Sequence, residues 1–106
     1  MKHISVVDFS EVLKRDAQNP EVAFIDVRTP GEYADGHIEG VKNIPLDELS
    51  KRVNELEGKK TVYLQCLSGG RSSQAAQWLE FIGSPAECVN VDGGLMAWDA
   101  SGLPTV

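Results

Sequence analysis

A cysteine lies at the point where an apolar run gives way to a predicted helix, a position that suits nucleophilic chemistry. Cys66 follows the apolar run 61–64 and precedes Gly69, Gly70 and Arg71. A helix N-terminus and a nearby guanidinium both stabilise a thiolate relative to a thiol, so we expect the pKa of Cys66 to be lowered. Because the thiolate is the nucleophilic form, the sequence predicts Cys66 as a nucleophile.

The two glycines after Cys66 predict a backbone nest around its sulfur. Glycine adopts positive φ without steric cost, so Gly69 and Gly70 can turn several backbone N–H groups toward the sulfur. Such N–H groups, at the carboxyl end of a strand in an open α/β sheet, form an anion site. The alternative for Cys66 is a buried cysteine that packs as a small hydrophobe.

Composition sets the bounds within which this chemistry must work. The chain has 106 residues, 42% of them hydrophobic, which is enough for one domain with its own core. A net charge of −6 without a cluster of Lys or Arg argues against nucleic acid and anionic membrane as partners. The two cysteines, Cys66 and Cys88, are too few for a disulfide framework and lack the paired spacing of a zinc site. We therefore expect neither a metal nor another cofactor.

The sequence gives no sign of a targeting or membrane segment. Asp8 and Glu11 interrupt the first residues before a secretory signal can develop. No window approaches the roughly 18 apolar residues of a membrane span. We expect a reducing, cytoplasmic compartment.

Strand and helix signals alternate along the chain, which favours a parallel sheet with helices on both faces. The run 22–27 is apolar on both faces except at Asp26, as expected of a central strand that is covered on both sides. Strands are predicted over residues 4–7, 22–27, 41–44, 61–64 and 88–91.

Capping residues and apolar periodicity predict the helices between these strands. Asp8 and Glu11 resemble a capping box for the first helix. Thr29 and Glu32 form a second capping-box pattern, and Gly36 ends that brief helix. Later helices are predicted to begin at Pro45, Ser72 and Leu95, and the Ser72 helix carries an apolar stripe of Ala75, Ala76, Leu79 and Ile82.

Three stretches of the chain resemble the rhodanese family of sulfurtransferases, in its single-domain form. They are IDVRTPGEYADGHIEGVKNIP, QCLSGGRS and NVDGGLMAW, which lie in the family's order and at its spacing over about residues 24 to 98. The resemblance implies a single rhodanese-like domain over residues 1–106, with a five-stranded parallel sheet flanked by helices. It also implies that the cysteine loop is the active site.

The resemblance also implies a sulfur-transfer reaction at this loop. Cys66 accepts a sulfane sulfur as a persulfide and passes it to a thiophilic acceptor. Thiosulfate is the model donor, and the acceptor is cyanide, a small thiol or a dithiol protein such as a thioredoxin. The residues that map onto the family's substrate cradle are Leu67, Ser68, Gly69, Gly70, Arg71 and Ser72.

One feature of the loop departs from relatives that favour thiosulfate, which often carry additional positive charge there. Arg71 is the only cation between Cys66 and Ser73. The sequence therefore leaves the physiological donor open.

Other polar residues have both a structural and a functional interpretation. Asp26 ends a strand beside the predicted Cys66 strand, where it either orients the loop or serves as a structural cap or ion-pair partner for the local turn. Arg28 either contacts substrate or pairs with Glu32, four residues later. His37 is interpreted as an organiser of its loop, and Cys88 as an inert core thiol.

Two other classes of function compete with a sulfurtransferase. Dual-specificity phosphatases and arsenate reductases have a similar fold and a cysteine-arginine loop, but theirs holds one more residue than the four between Cys66 and Arg71. Alkyl phosphate leaving groups also need a general acid, which this loop does not offer. The other alternative is a persulfide carrier, or an interaction module with little turnover.

Overall fold

The computed structural model describes residues 1–106 as one five-stranded sheet with helices on both faces. The strands are β1 (Lys2–Ile4), β2 (Val22–Asp26), β3 (Lys42–Asn43), β4 (Thr61–Gln65) and β5 (Glu87–Val91). The α-helices are α1 (Val6–Arg15), α2 (Pro30–Asp35), α3 (Leu49–Arg52), α4 (Gly70–Phe81) and α5 (Gly94–Ala100), and α3 lies between two 3-10 turns, Leu46–Glu48 and Val53–Leu56.

All strand pairs are parallel and the strand order is β1-β5-β4-β2-β3, so the predicted five-stranded parallel sheet is confirmed. Strand β4 lies at the centre, with β2 on one side and β5 on the other. Asp26 is in register with Gln65, and Leu64 with Asn90. The carboxyl ends of these three strands therefore meet at one edge, and Cys66 follows the middle one.

Two apolar cores cover the two faces of the sheet. On one face α3 and α4 contribute Leu49 and Leu79 to a cluster that includes Cys66. On the other face α1 and α5 contribute Phe9 and Trp98, whose rings meet edge to face at 6.3 Å between centroids. The alternation of side chains along β4 supplies both clusters, because successive strand residues point to opposite faces.

The start of the chain differs from the sequence prediction. Strand β1 ends at Ile4, and α1 begins at Val6 rather than after Asp8. The N-cap is Ser5, whose hydroxyl accepts a hydrogen bond from the backbone N–H of Asp8 at 3.1 Å. With the earlier start, Val6 lies on the buried apolar face of the helix, whereas Val7 is exposed.

Later boundaries also differ from the sequence prediction. Strand β3 is only Lys42–Asn43, and the segment after Pro45 holds the short helix α3 with a 3-10 turn on each side. Helix α4 begins at Gly70, two residues before Ser72. Ile82 is exposed, because α4 ends at Phe81 and the chain turns away from the core at Gly83.

The capping box of α2 is confirmed. Thr29 Oγ1 accepts a hydrogen bond from the N–H of Glu32 at 3.2 Å, and the Glu32 carboxylate accepts one from the N–H of Thr29 at 3.1 Å. The helix ends at Gly36 as predicted. Among all the helices, none is long and apolar enough to cross a membrane.

Candidate active site

The Cys66 thiol lies beneath the loop that joins β4 to α4. Cys66 is only 1% exposed, whereas Leu67 and Ser68 are exposed on the outer surface of the loop. The sulfur thus lies on the floor of the turn, facing the start of α4.

Backbone N–H groups and one hydroxyl converge on this sulfur. The N–H of Gly69 lies 3.1 Å from Sγ, and the N–H of Ser72 lies 3.4 Å from it. The Ser72 hydroxyl lies 3.3 Å from Sγ. Burial raises the pKa of the Cys66 thiol, but the Ser72 hydroxyl and the N–H groups of Ser72, Gly69 and Ser68 outweigh burial and lower it below the ordinary value. The arrangement stabilises a negatively charged sulfur.

One glycine, rather than two, makes the turn of the loop. Gly69 has φ of 105°, in the region that favours glycine, whereas Gly70 has entered the helix. A Cβ at Gly69 would also lie 3.4 Å from the backbone nitrogen of Gly93. The backbone freedom predicted for both glycines is therefore needed at Gly69 alone.

The start of α5 fixes the direction of the loop peptides. The N–H of Leu95 donates to the carbonyl of Cys66, and the N–H of Met96 to the carbonyl of Leu67, both at 2.9 Å. Because the C=O and N–H of a trans peptide point in opposite directions, holding the Leu67 carbonyl outward turns the N–H of Ser68 toward the sulfur. Helix α5 thereby sets the orientation of the nest.

Gly94 makes this close approach possible. A Cβ at Gly94 would lie 2.4 Å from the Cys66 carbonyl oxygen and 2.7 Å from the Leu67 carbonyl carbon. Its φ of 55° also disfavours a side chain. Contact with the cysteine loop thus explains Gly94 in the stretch NVDGGLMAW, whereas a Cβ at Gly93 would meet the Ala97 side chain.

A buried asparagine supports the site and was missed by sequence reasoning. Asn90 Oδ1 accepts a hydrogen bond from the Ser72 hydroxyl at 2.6 Å, and Asn90 Nδ2 donates to Asp92 at 3.0 Å. Asp92 in turn contacts His3 Nδ1 at 2.7 Å on the surface. A polar residue between two valines at the carboxyl end of a buried strand is the signal that identifies Asn90.

The guanidinium of Arg71 is held by a carboxylate. Its Nη1 and Nη2 donate to the two carboxylate oxygens of Glu32 at 2.7 Å and 3.0 Å. The ion pair holds the pKa of Glu32 down at about 2, with the N–H of Thr29 as a second cause. The predicted pairing of Glu32 with Arg28 is wrong, since Glu32 reaches across to α4 instead.

Asp26 and Arg28 form a buried pair beside the site. Arg28 donates to both Asp26 carboxylate oxygens at 2.8–3.1 Å, and the two side chains are 3% and 0% exposed. Arg28 also donates to the carbonyls of Glu32 and Gly36. These bonds tie β2 to both ends of α2. The structure therefore places both residues in a structural turn, without a hydrogen bond from either to the Cys66 loop.

The remaining candidates lie away from the cysteine. His37 Nδ1 contacts the Tyr33 carbonyl at 2.8 Å, and its ring stacks on that of Tyr33 at 3.8 Å between centroids. Cys88 is buried in β5 and forms no disulfide. No group of three or more His, Cys, Asp or Glu side chains is arranged to hold a metal ion.

Comparison with known sequences points to one family. A family model described as Rhodanese-like domain matches residues 9–101. A sulfurtransferase of Allochromatium vinosum is 33% identical over 103 residues, which cover 97% of this chain and 95% of that protein.

Two Bacillus subtilis relatives are longer than this chain. The uncharacterised protein YqhL is 47% identical over 74 residues, which cover 70% of this chain and 58% of YqhL. The candidate sulfur carrier protein YrkF is 38% identical over 89 residues, which cover 83% of this chain and 48% of YrkF. The chain thus spans about half the length of these two relatives.

Comparison of structures agrees with the sequence matches. The crystal structure of a rhodanese-related protein from Thermoplasma volcanium superposes with a TM-score of 0.84 at 31% identity. The match covers 100% of this chain and 98% of that protein, so the two share one fold from end to end.

Proposed function

Because the chain belongs to the rhodanese-like domain family, we propose that it transfers sulfane sulfur through a persulfide on Cys66. The observation that carries this proposal is the pair of backbone N–H groups, from Gly69 and Ser72, that point at one buried sulfur. The Ser72 hydroxyl lies 3.3 Å from the same sulfur. These donors stabilise the attacking thiolate. They would also stabilise negative charge on the persulfide, in the way that an oxyanion hole stabilises oxygen.

The first half-reaction loads the enzyme. The Cys66 thiolate attacks the outer sulfur of a donor such as thiosulfate and forms a new S–S bond. The donor's own S–S bond breaks, and sulfite leaves with the electron pair. Sulfite needs no proton from the enzyme, which agrees with a loop that offers no general acid.

The second half-reaction removes the sulfur from the loaded enzyme. An acceptor nucleophile, such as cyanide, a small thiol or a dithiol protein of the thioredoxin kind, attacks the outer sulfur of the persulfide. The Cys66–sulfur bond breaks, and the Cys66 thiolate is regenerated as the leaving group. Its lowered pKa favours departure, because a more stable thiolate leaves faster.

We propose that the loop residues form the cradle that receives the sulfur donor. Leu67, Ser68 and Gly70 are exposed around the buried sulfur, so a small donor would meet them first. Gly69 and Ser72 supply the donors beneath. A reducing compartment such as the cytoplasm would keep thiol acceptors available. The full cradle proposed is Leu67, Ser68, Gly69, Gly70, Arg71 and Ser72.

A sulfur carrier is the second candidate, and the name of YrkF favours it. A carrier would load one sulfur on Cys66 and release it only to a bound partner. An enzyme would turn over many times with a small acceptor. Rapid-quench and steady-state assays of sulfite release, with thiosulfate and cyanide present, separate the two. A carrier releases one equivalent of sulfite as it loads and then stops, whereas an enzyme continues to release sulfite as cyanide removes the sulfur.

The direct test of the proposed function is thiocyanate formation from thiosulfate and cyanide, beside transfer from a persulfide donor to a reduced dithiol. We expect sustained turnover in at least one assay. Aryl phosphate hydrolysis, run in parallel, should stay at background, since the loop holds only four residues between Cys66 and Arg71. Phosphatase turnover without sulfur transfer would contradict the proposal.

A further inference from the structure

The one cation of the cysteine loop is already neutralised by a neighbouring element. Both terminal nitrogens of Arg71 donate to the Glu32 carboxylate, at 2.7 Å and 3.0 Å. This two-point geometry fixes the plane of the guanidinium as well as its charge. Arg71 and Glu32 remain 36% and 32% exposed, so the pair lies at the rim of the site, within reach of solvent.

The carboxylate is held in place independently of Arg71. Glu32 Oε1 also accepts from the N–H and the hydroxyl of Thr29, both at 3.1 Å. The N–H of Glu32 completes the capping box of α2. Because the pKa of Glu32 is about 2, the carboxylate is ionised at every pH at which the enzyme would work. An incoming anion must therefore compete with a carboxylate that is fixed and charged.

A second carboxylate lines the same depression as Arg71. Arg71 and Asp47 line one shallow depression of about 370 Å³, together with Thr29. Asp47 is exposed and forms no ion pair. The charge of Asp26 is matched by Arg28. The rim therefore carries one positive and two negative side chains before the Cys66 thiolate is counted, and this balance disfavours a dianion.

We propose that Glu32, together with Asp47 in the depression that Arg71 lines, is a specificity determinant that directs this site away from dianionic sulfur donors and toward donors of lower charge. By holding Arg71 in an ion pair, Glu32 withholds the loop's cation from the sulfonate end of thiosulfate. The inference rests on the proposed function and names the charge class of its donor.

Two donors of different charge but the same chemistry provide the test. Thiosulfate is a dianion and expels sulfite. An arenethiosulfonate is a monoanion, whose attacked outer sulfur expels an arenesulfinate with the electron pair of the broken S–S bond. Both leave the same Cys66 persulfide, and their differences in leaving group and size are the same for every variant. A change in the ratio of their kcat/KM values between variants therefore reports how the site treats donor charge.

The variant that tests the proposal is Glu32→Gln, which removes the charge and keeps an oxygen that can accept from Thr29. We expect the kcat/KM ratio of thiosulfate to arenethiosulfonate to rise about fivefold, because Arg71 becomes free to attract the dianion. In the double variant Glu32→Gln/Arg71→Gln the gain should disappear. Asp35→Asn, on the same helix, changes the net charge equally but touches neither partner, so its ratio should stay at the wild-type value.

Asp47→Asn provides a second measurement that leaves the capping box intact. We expect its donor ratio to rise in the same direction by about twofold. Turnover with both donors and an unchanged ratio in Glu32→Gln, or in Asp47→Asn should Glu32→Gln fail to fold, would overturn this inference alone. Turnover with neither donor in the wild-type protein would overturn this inference, and the proposed function would fall with it only if transfer from a persulfide donor to a reduced dithiol were absent as well.

Discussion

The two cysteines of this chain are equally buried and chemically opposite. Cys66 is 1% exposed and Cys88 is 2% exposed, and both belong to the same apolar cluster. Yet the pKa of Cys66 is lowered, whereas the pKa of Cys88 is raised. Cys66 follows the carboxyl end of β4, and Cys88 lies beside Val62 near the start of the neighbouring strand.

The difference lies in the backbone around each sulfur. Burial raises the pKa of Cys88, the charge of Glu80 adds to this effect, and the one polar contact of its sulfur is a carbonyl oxygen of Ala86 at 3.8 Å. Cys66 experiences the same burial but faces N–H donors from a turn. A regular strand directs its N–H groups into the sheet, so only the strand-to-helix turn can direct them to a side chain. Burial alone therefore does not make a thiol reactive. The N–H groups that the strand-to-helix turn directs at the sulfur do.

The largest effect should separate the two thiols directly. Cys66→Ser should lower sulfur transfer by at least about a thousandfold, because a hydroxyl is a poor nucleophile toward sulfur. Cys88→Ala removes the other thiol without burying a new hydroxyl and should stay within about twofold of wild type. Steady-state thiocyanate assays on folded variants, checked by circular dichroism, provide the measurement. Equal losses in both would remove the distinction.

The second effect should follow from the backbone that makes the turn different. Gly94→Ala should cost about 3 kcal/mol of unfolding free energy and most of the activity, because its Cβ would overlap the Cys66 carbonyl. Gly83→Ala is the matched control, since Gly83 also has positive φ but open space around it. We expect a loss of about 1 kcal/mol there, with activity retained. Urea unfolding of both variants tests this, and similar losses would show that the contact with α5 is unimportant.

The smallest effect concerns the hydroxyl that lies beside the Cys66 sulfur. Ser72→Ala should raise the pKa of Cys66, because the hydroxyl stabilises the thiolate form. The iodoacetamide alkylation rate rises with the thiolate fraction, so its pH midpoint should move to higher pH. Below that midpoint the rate should fall by about tenfold. Ser73→Ala, whose hydroxyl contacts Met1 and not the site, should leave the profile in place. An unmoved profile in Ser72→Ala would assign the lowered pKa to the backbone alone.

Local signals predicted the parts of the site that are local in sequence. Cys66, Gly69 and the Thr29–Glu32 capping box were identified because a turn and a cap involve neighbouring residues. The Ser5 cap was missed because Asp8 and Glu11 offered an equally good pattern three residues later. A one-turn choice of this kind is decided by which residues the core buries, here Val6 and Phe9.

The parts that were missed depend on contacts between distant segments. Glu32 and Arg71 are 39 residues apart, and Ser72 and Asn90 are 18 apart, so neither pairing leaves a local pattern. The four-residue spacing favoured a pair between Arg28 and Glu32. Arg28 instead pairs with Asp26, two residues before it, where both side chains are buried. The strand order explains the Glu32–Arg71 and Ser72–Asn90 contacts, because it brings the ends of β2, β4 and β5 to one edge of the sheet.

The central claim, that sulfur is carried on Cys66 and not on Cys88, has a direct measurement. Trypsin cuts after Lys60 and Arg71, and no Lys or Arg follows Arg71, so the two cysteines fall in separate peptides, 61–71 and 72–106. The protein is purified without reductant, incubated with the sulfur donor, and examined by mass spectrometry. We predict a gain of one sulfur atom on peptide 61–71, lost on addition of cyanide. Sulfur on peptide 72–106, or on neither peptide while transfer proceeds, would contradict the claim.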